Sequence, residues 1–172
     1  MKLMIASDIH GSAYYCKRLL DAFAREGADR LLLLGDILYH GPRNALPRDY
    51  APAEVAGLLN PLRERILCVR GNCDSEVDQM VLSFPMMADY CLLEINGLTL
   101  FATHGHLYNE GDLPPLCEGD VLLNGHTHVP HLTPHEHYTF LNPGSVSIPK
   151  ENSAHSCALL EGQQFRFLNL DE

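Results

Sequence analysis

Five short polar motifs, each carrying a glycine, follow apolar runs in this chain: Asp8-Ile9-His10-Gly11, Gly35-Asp36, Gly71-Asn72, His104-Gly105 and Gly125-His126-Thr127-His128. Leu3–Ala6, Leu31–Leu34, Ile66–Val69 and Val121–Leu123 precede four of them immediately or within two residues, and Leu98–Thr103 runs straight into His104. Such runs, bounded by turn formers, read as buried strands. Ligands in open α/β sheets gather beyond the carboxyl ends of strands, so converging ends bring these polar residues to one centre. Glycine beside each polar residue permits sharp turns and close backbone approach. Asp8 with His10, and His126 with His128, are two apart, so on extended chain each pair faces one side. A lone His-x-His is commonly a surface pair, and a lone Gly-Asp or Gly-Asn is usually a turn. Five motifs in register with five strand ends point instead to a metal site.

The donor set narrows the metal. Asp8, His10, Asp36, Asn72, His104, His126 and His128 offer nitrogen and oxygen without thiolate, unlike a Cys-rich structural zinc site. Seven donors exceed what one tetrahedral ion takes and suit two ions about 3.5–4 Å apart, with one carboxylate bridging. Manganese is the first expectation, with nickel, iron or zinc as alternatives. Two divalent ions against two aspartates leave a surplus of about +2, which attracts hydroxide and phosphate together.

The rest of the chain supplies the frame. Ser12 is a good N-cap, Cys16, Leu19, Leu20, Phe23 and Ala24 recur at helical spacing, and Gly27 can close that helix. Residues 37–52 are rich in turn formers and read as a long loop, and a helix is predicted over 53–64 with Pro61 disturbing its last turn. Tyr90–Ile95 and Leu98–Thr103 flank Asn96-Gly97 and predict a hairpin with a type I′ turn. Tyr138–Leu141, Ser156–Leu160 and Phe165–Leu168 are further strands, so the second half is expected to be mostly antiparallel. Two sheets face to face, with helices outside, would bury both kinds of strand. At 172 residues, with no repeat or linker, a single domain over 1–172 is expected.

Charge and cysteine usage exclude several partners. The net charge of -10 repels a phosphate polymer, so long nucleic acid is not an expected partner. No apolar stretch approaches the ~18 residues of a membrane span, and the first apolar run is too short for a signal peptide. Six cysteines without a C-x-x-C pair fit reduced thiols in a cytoplasmic protein. Self-association into a homo-oligomer stays open.

The order D-x-H, GD, GN-x-D, H, G-H-x-H resembles the calcineurin-like metallophosphoesterases over the whole chain. The stretches GDILYHGPRNALP, VRGNCDSEVDQM, THGH, GHTH and NPGSVSIPK are similar to a bacterial phosphodiesterase branch of that family. The resemblance implies a four-layer αββα sandwich of two mixed sheets flanked by helices. It also implies one ion on Asp8, His10, Asp36 and His128 and another on Asp36, Asn72, His104 and His126, with Asp36 bridging. The implied reaction is direct in-line attack on a phosphoester by a hydroxide between the ions. A bridging hydroxide would reduce the +2 surplus to about +1, which matches the monoanion of a small phosphodiester better than a monoester dianion.

One departure stands out. Many relatives have histidine after Gly-Asn to assist the leaving group, whereas this chain has Cys73. Cys73 is a candidate proton donor or a small filler beside the metals. Asp74 is a candidate to orient its neighbours or hold Arg70, and His106 is either a substitute acid or a solvent-facing loop residue. Arg70 and Arg43 suit phosphate oxygens, with surface salt bridges as the alternative. The rival activities are a phosphomonoesterase on the same site and a non-catalytic scaffold of the retromer-subunit type. The motifs of P-loop and dinucleotide-binding proteins are absent.

Overall fold

Leu3 and Ile5 point one way from their strand, and Met4 and Ala6 point the other, yet all four are buried. This is the signature of a strand covered on both faces. In the computed structural model, which describes residues 1–172, that strand is β1 (Leu3–Ala6). The next elements are α1 (Ala13–Arg25), β2 (Arg30–Leu33), α2 (Pro52–Leu59), β3 (Ile66–Cys68) and α3 (Glu76–Val81). Seven strands follow: β4 (Tyr90–Ile95), β5 (Leu98–Thr103), β6 (Asp120–Leu123), β7 (Pro130–Pro134), β8 (Tyr138–Pro143), β9 (Ser156–Glu161) and β10 (Gln164–Asn169).

The strands form two mixed five-stranded sheets in an α/β sandwich, with orders β10-β9-β1-β2-β3 and β4-β5-β6-β8-β7. Leu3, Ile5, Leu32 and Leu34 meet Leu100, Ala102, Val121, Leu123 and Leu141 between the sheets. Met4, Ala6, Leu31 and Leu33 face α1 and α2 through Cys16, Leu19, Phe23, Val55 and Leu59. Removing one such buried leucine side chain costs about 2–5 kcal/mol, so the alternation along β1 and β2 ties both layers to one register. All three α-helices precede β4. The outer face of the second sheet instead packs Phe101, Leu122 and Phe140 under Tyr108 and Leu116 of the connecting segment.

Several expectations meet the structure directly. The Ser12 hydroxyl accepts the Tyr15 N–H at 3.3 Å at the head of α1. Asn96 and Gly97 take φ of 54° and 81° in the hairpin turn, as a type I′ turn requires. Pro61 ends α2 earlier than expected, and residues 60–65 tighten into a 3₁₀ turn.

Other expectations need correction. The second half is mostly antiparallel as expected, in four of its six strand pairings, yet β6 runs parallel to both β5 and β8, and β9 and β10 join the first sheet beside β1 rather than the second. Local periodicity sets a strand's faces but not its partner. Strand β7 carries prolines at both ends and was not expected. It lies at the sheet edge, where a missing N–H is tolerated. The short helix α3 was also unforeseen, although Ser75-Glu76-Val77-Asp78 forms a capping box, with Asp78 accepting the Ser75 N–H at 2.9 Å.

Candidate metal centre

The carboxyl ends of β1, β2 and β3 open beside those of β5 and β6, and the five polar motifs meet there. Asp8, His10, Asp36, His126 and His128 all adopt left-handed backbone, with φ between 48° and 66°. Non-glycine residues rarely do so, and such conformations cluster at functional sites. This corrects the expectation that Asp8-x-His10 and His126-x-His128 converge along extended chain. The chain turns sharply as it leaves each strand, and the turn aims the side chains.

Two glycines are required by close approach. A Cβ on Gly71 would stand 2.1 Å from Asp36 Oδ1, and one on Gly125 would stand 1.9 Å from Ser7 Oγ. The segments are stitched by backbone bonds, including Asp8 N–H to Gly35 O at 3.1 Å and His10 N–H to Asp36 O at 2.9 Å. From the other side, Asn142 Nδ2 donates to Gly125 O at 2.7 Å, and Ser145 Oγ donates to Asp8 O at 2.9 Å.

Three histidines are oriented alike. The Nδ1–H groups of His10, His104 and His128 donate to the carbonyls of Tyr39 (2.7 Å), Leu34 (2.7 Å) and Ile148 (2.6 Å). A carbonyl only accepts, so each Nδ1 carries a proton and each Nε2 faces inward, where it can ligate a cation once it is unprotonated. His10 Nε2 and His128 Nε2 lie 3.3 Å apart and 3.4 and 3.1 Å from Asp8 Oδ1. That oxygen is buried and has no hydrogen-bond donor. Asp36 Oδ2 is 3.7 Å from His10 Nε2 and 3.4 Å from His104 Nε2, and Asn72 Oδ1 is 3.0 Å from His104 Nε2.

Acceptors gathered this closely call for positive charge among them. Burial would raise the Asp8 carboxyl, but the imidazoles of His10 and His128 hold it well below the ordinary range. Burial would lower His104, yet Asp36 and Asp8 push it up to about 9. A proton or a divalent cation can answer that demand, and the nitrogen and oxygen donors fit a borderline divalent ion. The residues able to hold one fall into overlapping groups: Asp8, His10 and His128; Asp8, Asp36 and His104; and His10, Asp36 and Cys73.

These donors open into a polar cavity of about 270 Å³, whose lining includes His126, Arg43, Asn44 and Lys150. A matching family profile, the calcineurin-like phosphoesterase superfamily domain, spans residues 1–164. The chain belongs to the calcineurin-like phosphoesterase superfamily. It is 49% identical over all its 172 residues to phosphodiesterase YfcE of Escherichia coli (strain K12), covering 94% of that protein. The solved structure of the E. coli phosphoesterase Yfce superposes with a TM-score of 0.97 at 48% identity, over 99% of this chain and 94% of that one. Vps29 of Entamoeba histolytica in its Zn²⁺ complex shares the fold alone, with a TM-score of 0.62 at 17% identity over 99% of both chains.

Within this superfamily frame, the remaining expected site residues part company. His126 lines the cavity, its ring 5.1 Å from that of His104, while its backbone N–H donates to Asp8 Oδ2 at 3.0 Å. Arg43 lines the cavity, whereas Arg70 does not and instead approaches Glu76 at 4.0 Å. Asp74 does not hold Arg70. Its carboxylate accepts the backbone N–H groups of Asp36, Ile37 and Gly71 at 2.7–2.9 Å. His106 is half-buried beside His104 and lines a neighbouring hollow of about 320 Å³ with Asn109 and Asn124, which shares His126 with the polar cavity. Cys73 lies beside the donors, its Sγ grouping with His10 and Asp36. Burial and the Asp36 charge push this thiol up to about 12, so it stays protonated near neutral pH. Lys150 at the rim was missed, although it closes the Asn142–Lys150 stretch that resembles the family.

Proposed function

We propose that this protein is a cytoplasmic phosphodiesterase that hydrolyses small phosphodiesters with two divalent ions, manganese foremost. Asp8, His10, Asp36 and His128 would hold one ion, and Asp36, Asn72, His104 and His126 the other. Asp8 Oδ1 carries this reading: a buried, donorless carboxylate oxygen facing two inward Nε2 atoms. When bound, such ions polarise a phosphoryl group and activate water for in-line displacement.

The chain's own residues prepare the site. The carbonyls of Leu34, Tyr39 and Ile148 keep three imidazoles in the ligating tautomer. Asp74 holds the backbone beneath Asp36. Arg43 and Lys150 at the rim attract phosphate oxygens. The full-length E. coli relative carries the name phosphodiesterase and supports that substrate class. Six free cysteines support a reducing compartment. A phosphomonoesterase is the second reading, and Lys150 favours it by adding positive charge that suits a dianion.

The test combines metal analysis with hydrolysis of bis(4-nitrophenyl) phosphate and 4-nitrophenyl phosphate. Two ions per chain, loss of turnover on chelation and a higher kcat/KM for the diester are expected. Asp36→Asn should cost more turnover than His126→Ala, by about thirtyfold, or roughly 2 kcal/mol. One ion per chain with full activity would overturn the dinuclear reading, and a clear monoester preference would overturn the diester one.

A further inference from the structure

A second, larger hollow of about 1160 Å³ adjoins the polar cavity, and Pro42, Arg43, Asn72 and Cys73 line both. One wall is α2 with Ala53, Ala56 and Gly57, the other is α3 with Val77 and Val81, and Leu38, Tyr39 and Tyr50 also line it. Several of its polar groups are already engaged. Asn60 bonds to Val81 O and Ser83 N–H, Ser75 and Asp78 cap α3, and Asp74 accepts three backbone N–H groups. Apart from Arg43 and the hydroxyls of Tyr39 and Tyr50, the surface left to a ligand is apolar and aromatic.

Two features show that nothing within the chain claims this space. Val77 and Val81 on α3 are 67% and 51% exposed. Gly57 sits inside α2 without a positive φ, and a Cβ there would meet nothing within 4 Å. A mid-helix glycine costs about 0.5–1 kcal/mol against alanine, and no contact within the chain requires it here.

We propose that this groove is the subsite for one ester substituent of the substrate, an apolar group of aromatic size. This rests on the phosphodiesterase reading, since the substituent must extend from a phosphate seated beside Arg43 and Cys73. Continuity with the polar cavity favours this occupant over a second copy of the chain. Tyr39 joins the two regions: it lines the groove, and its carbonyl accepts the Nδ1–H of His10. Selectivity among diesters then resides in Tyr39, Tyr50, Gly57, Val77 and Val81, apart from the metal ligands.

The test is calorimetric titration of the Mn²⁺-loaded full chain with inorganic phosphate, methylphosphonate and naphthylmethylphosphonate. Wild type should bind the naphthyl compound at least about tenfold more tightly than the methyl one, from burial of the ring. Gly57→Phe should erase that difference while leaving phosphate affinity and manganese content unchanged. Val81→Phe repeats the test from the opposite wall. The proposal is overturned if wild type shows no preference, or if both folded variants retain it. It is also overturned if the variants change only the oligomeric state by sedimentation, which would assign the groove to a second copy. Failure of the Mn²⁺-loaded protein to bind even inorganic phosphate would overturn the metal-site reading and the subsite with it.

Discussion

Asp74 Oδ2 accepts the backbone N–H of Asp36 at 2.8 Å, so one buried carboxylate holds the chain at the point where another enters the metal centre. The same oxygen takes the Gly71 N–H, and Oδ1 takes that of Ile37. Two strand ends, after β2 and after β3, are thereby clamped together. Asp74, three residues after Gly71, is a brace for Asp36 rather than a partner for Arg70.

Asp74→Asn should therefore damage the centre without touching a metal. An amide presents an N–H where a carboxylate oxygen now accepts, so at least one charged hydrogen bond is lost. The expected cost is about 1.5–3 kcal/mol in urea unfolding. Manganese affinity should weaken by roughly tenfold or more, as Asp36 loses its fixed backbone. Unfolding and metal titration curves that overlay those of wild type would refute the clamp.

Gly71 and Gly57 make a matched pair with opposite signs. Gly71→Ala places a methyl 2.1 Å from Asp36 Oδ1, so the aspartate must move or the turn must open. Loss of stability and of bound manganese is expected. Gly57→Ala adds a methyl to open space inside a helix and should stabilise by about 0.5–1 kcal/mol. Thermal melts of both variants, with metal content, check the pair. Equal shifts of the same sign would contradict the geometry.

Much of this centre is readable in residue order because strand ends advertise themselves. Leu3–Ala6 before Asp8 and Leu31–Leu34 before Gly35 are apolar runs cut off by polar residues, and both are buried strands in the fold. The supporting layer is not readable that way. His10, His104 and His128 are oriented by the carbonyls of Tyr39, Leu34 and Ile148, and every residue type carries the same carbonyl. The left-handed turns at Asp8 and Asp36 are equally silent, since neither residue type demands positive φ. Strand β7 escaped because proline argues against a strand unless its edge position is already known.

Cys73→Ser should keep most of the turnover. The thiol is pushed up to about 12 by burial and by Asp36, so near neutral pH it is neither a thiolate ligand nor a well-matched acid. Serine preserves its size and its capacity to donate a hydrogen bond. A Cys73→Ser protein that is folded and fully loaded with manganese, yet inactive, would show that sulfur itself is needed.

Lys150 bears on the choice between diester and monoester. Substrate charge argued from Asp8, Asp36 and two divalent ions alone leaves out this rim ammonium and the Arg43 guanidinium. Both favour a dianion, so a preference for diesters would depend on the open apolar groove more than on net charge. Lys150→Met removes one positive charge while keeping a long side chain at an exposed position. A dianionic monoester feels that loss about twice as strongly as a monoanionic diester. Solvent screening keeps the effect modest, and the ratio of diester to monoester kcat/KM should rise about two- to fivefold at low salt. The rise should shrink as salt is added, because an exposed charge acts through a screened field. A ratio that falls, or one that ignores ionic strength, would mean that Lys150 does not act on the substrate through its charge.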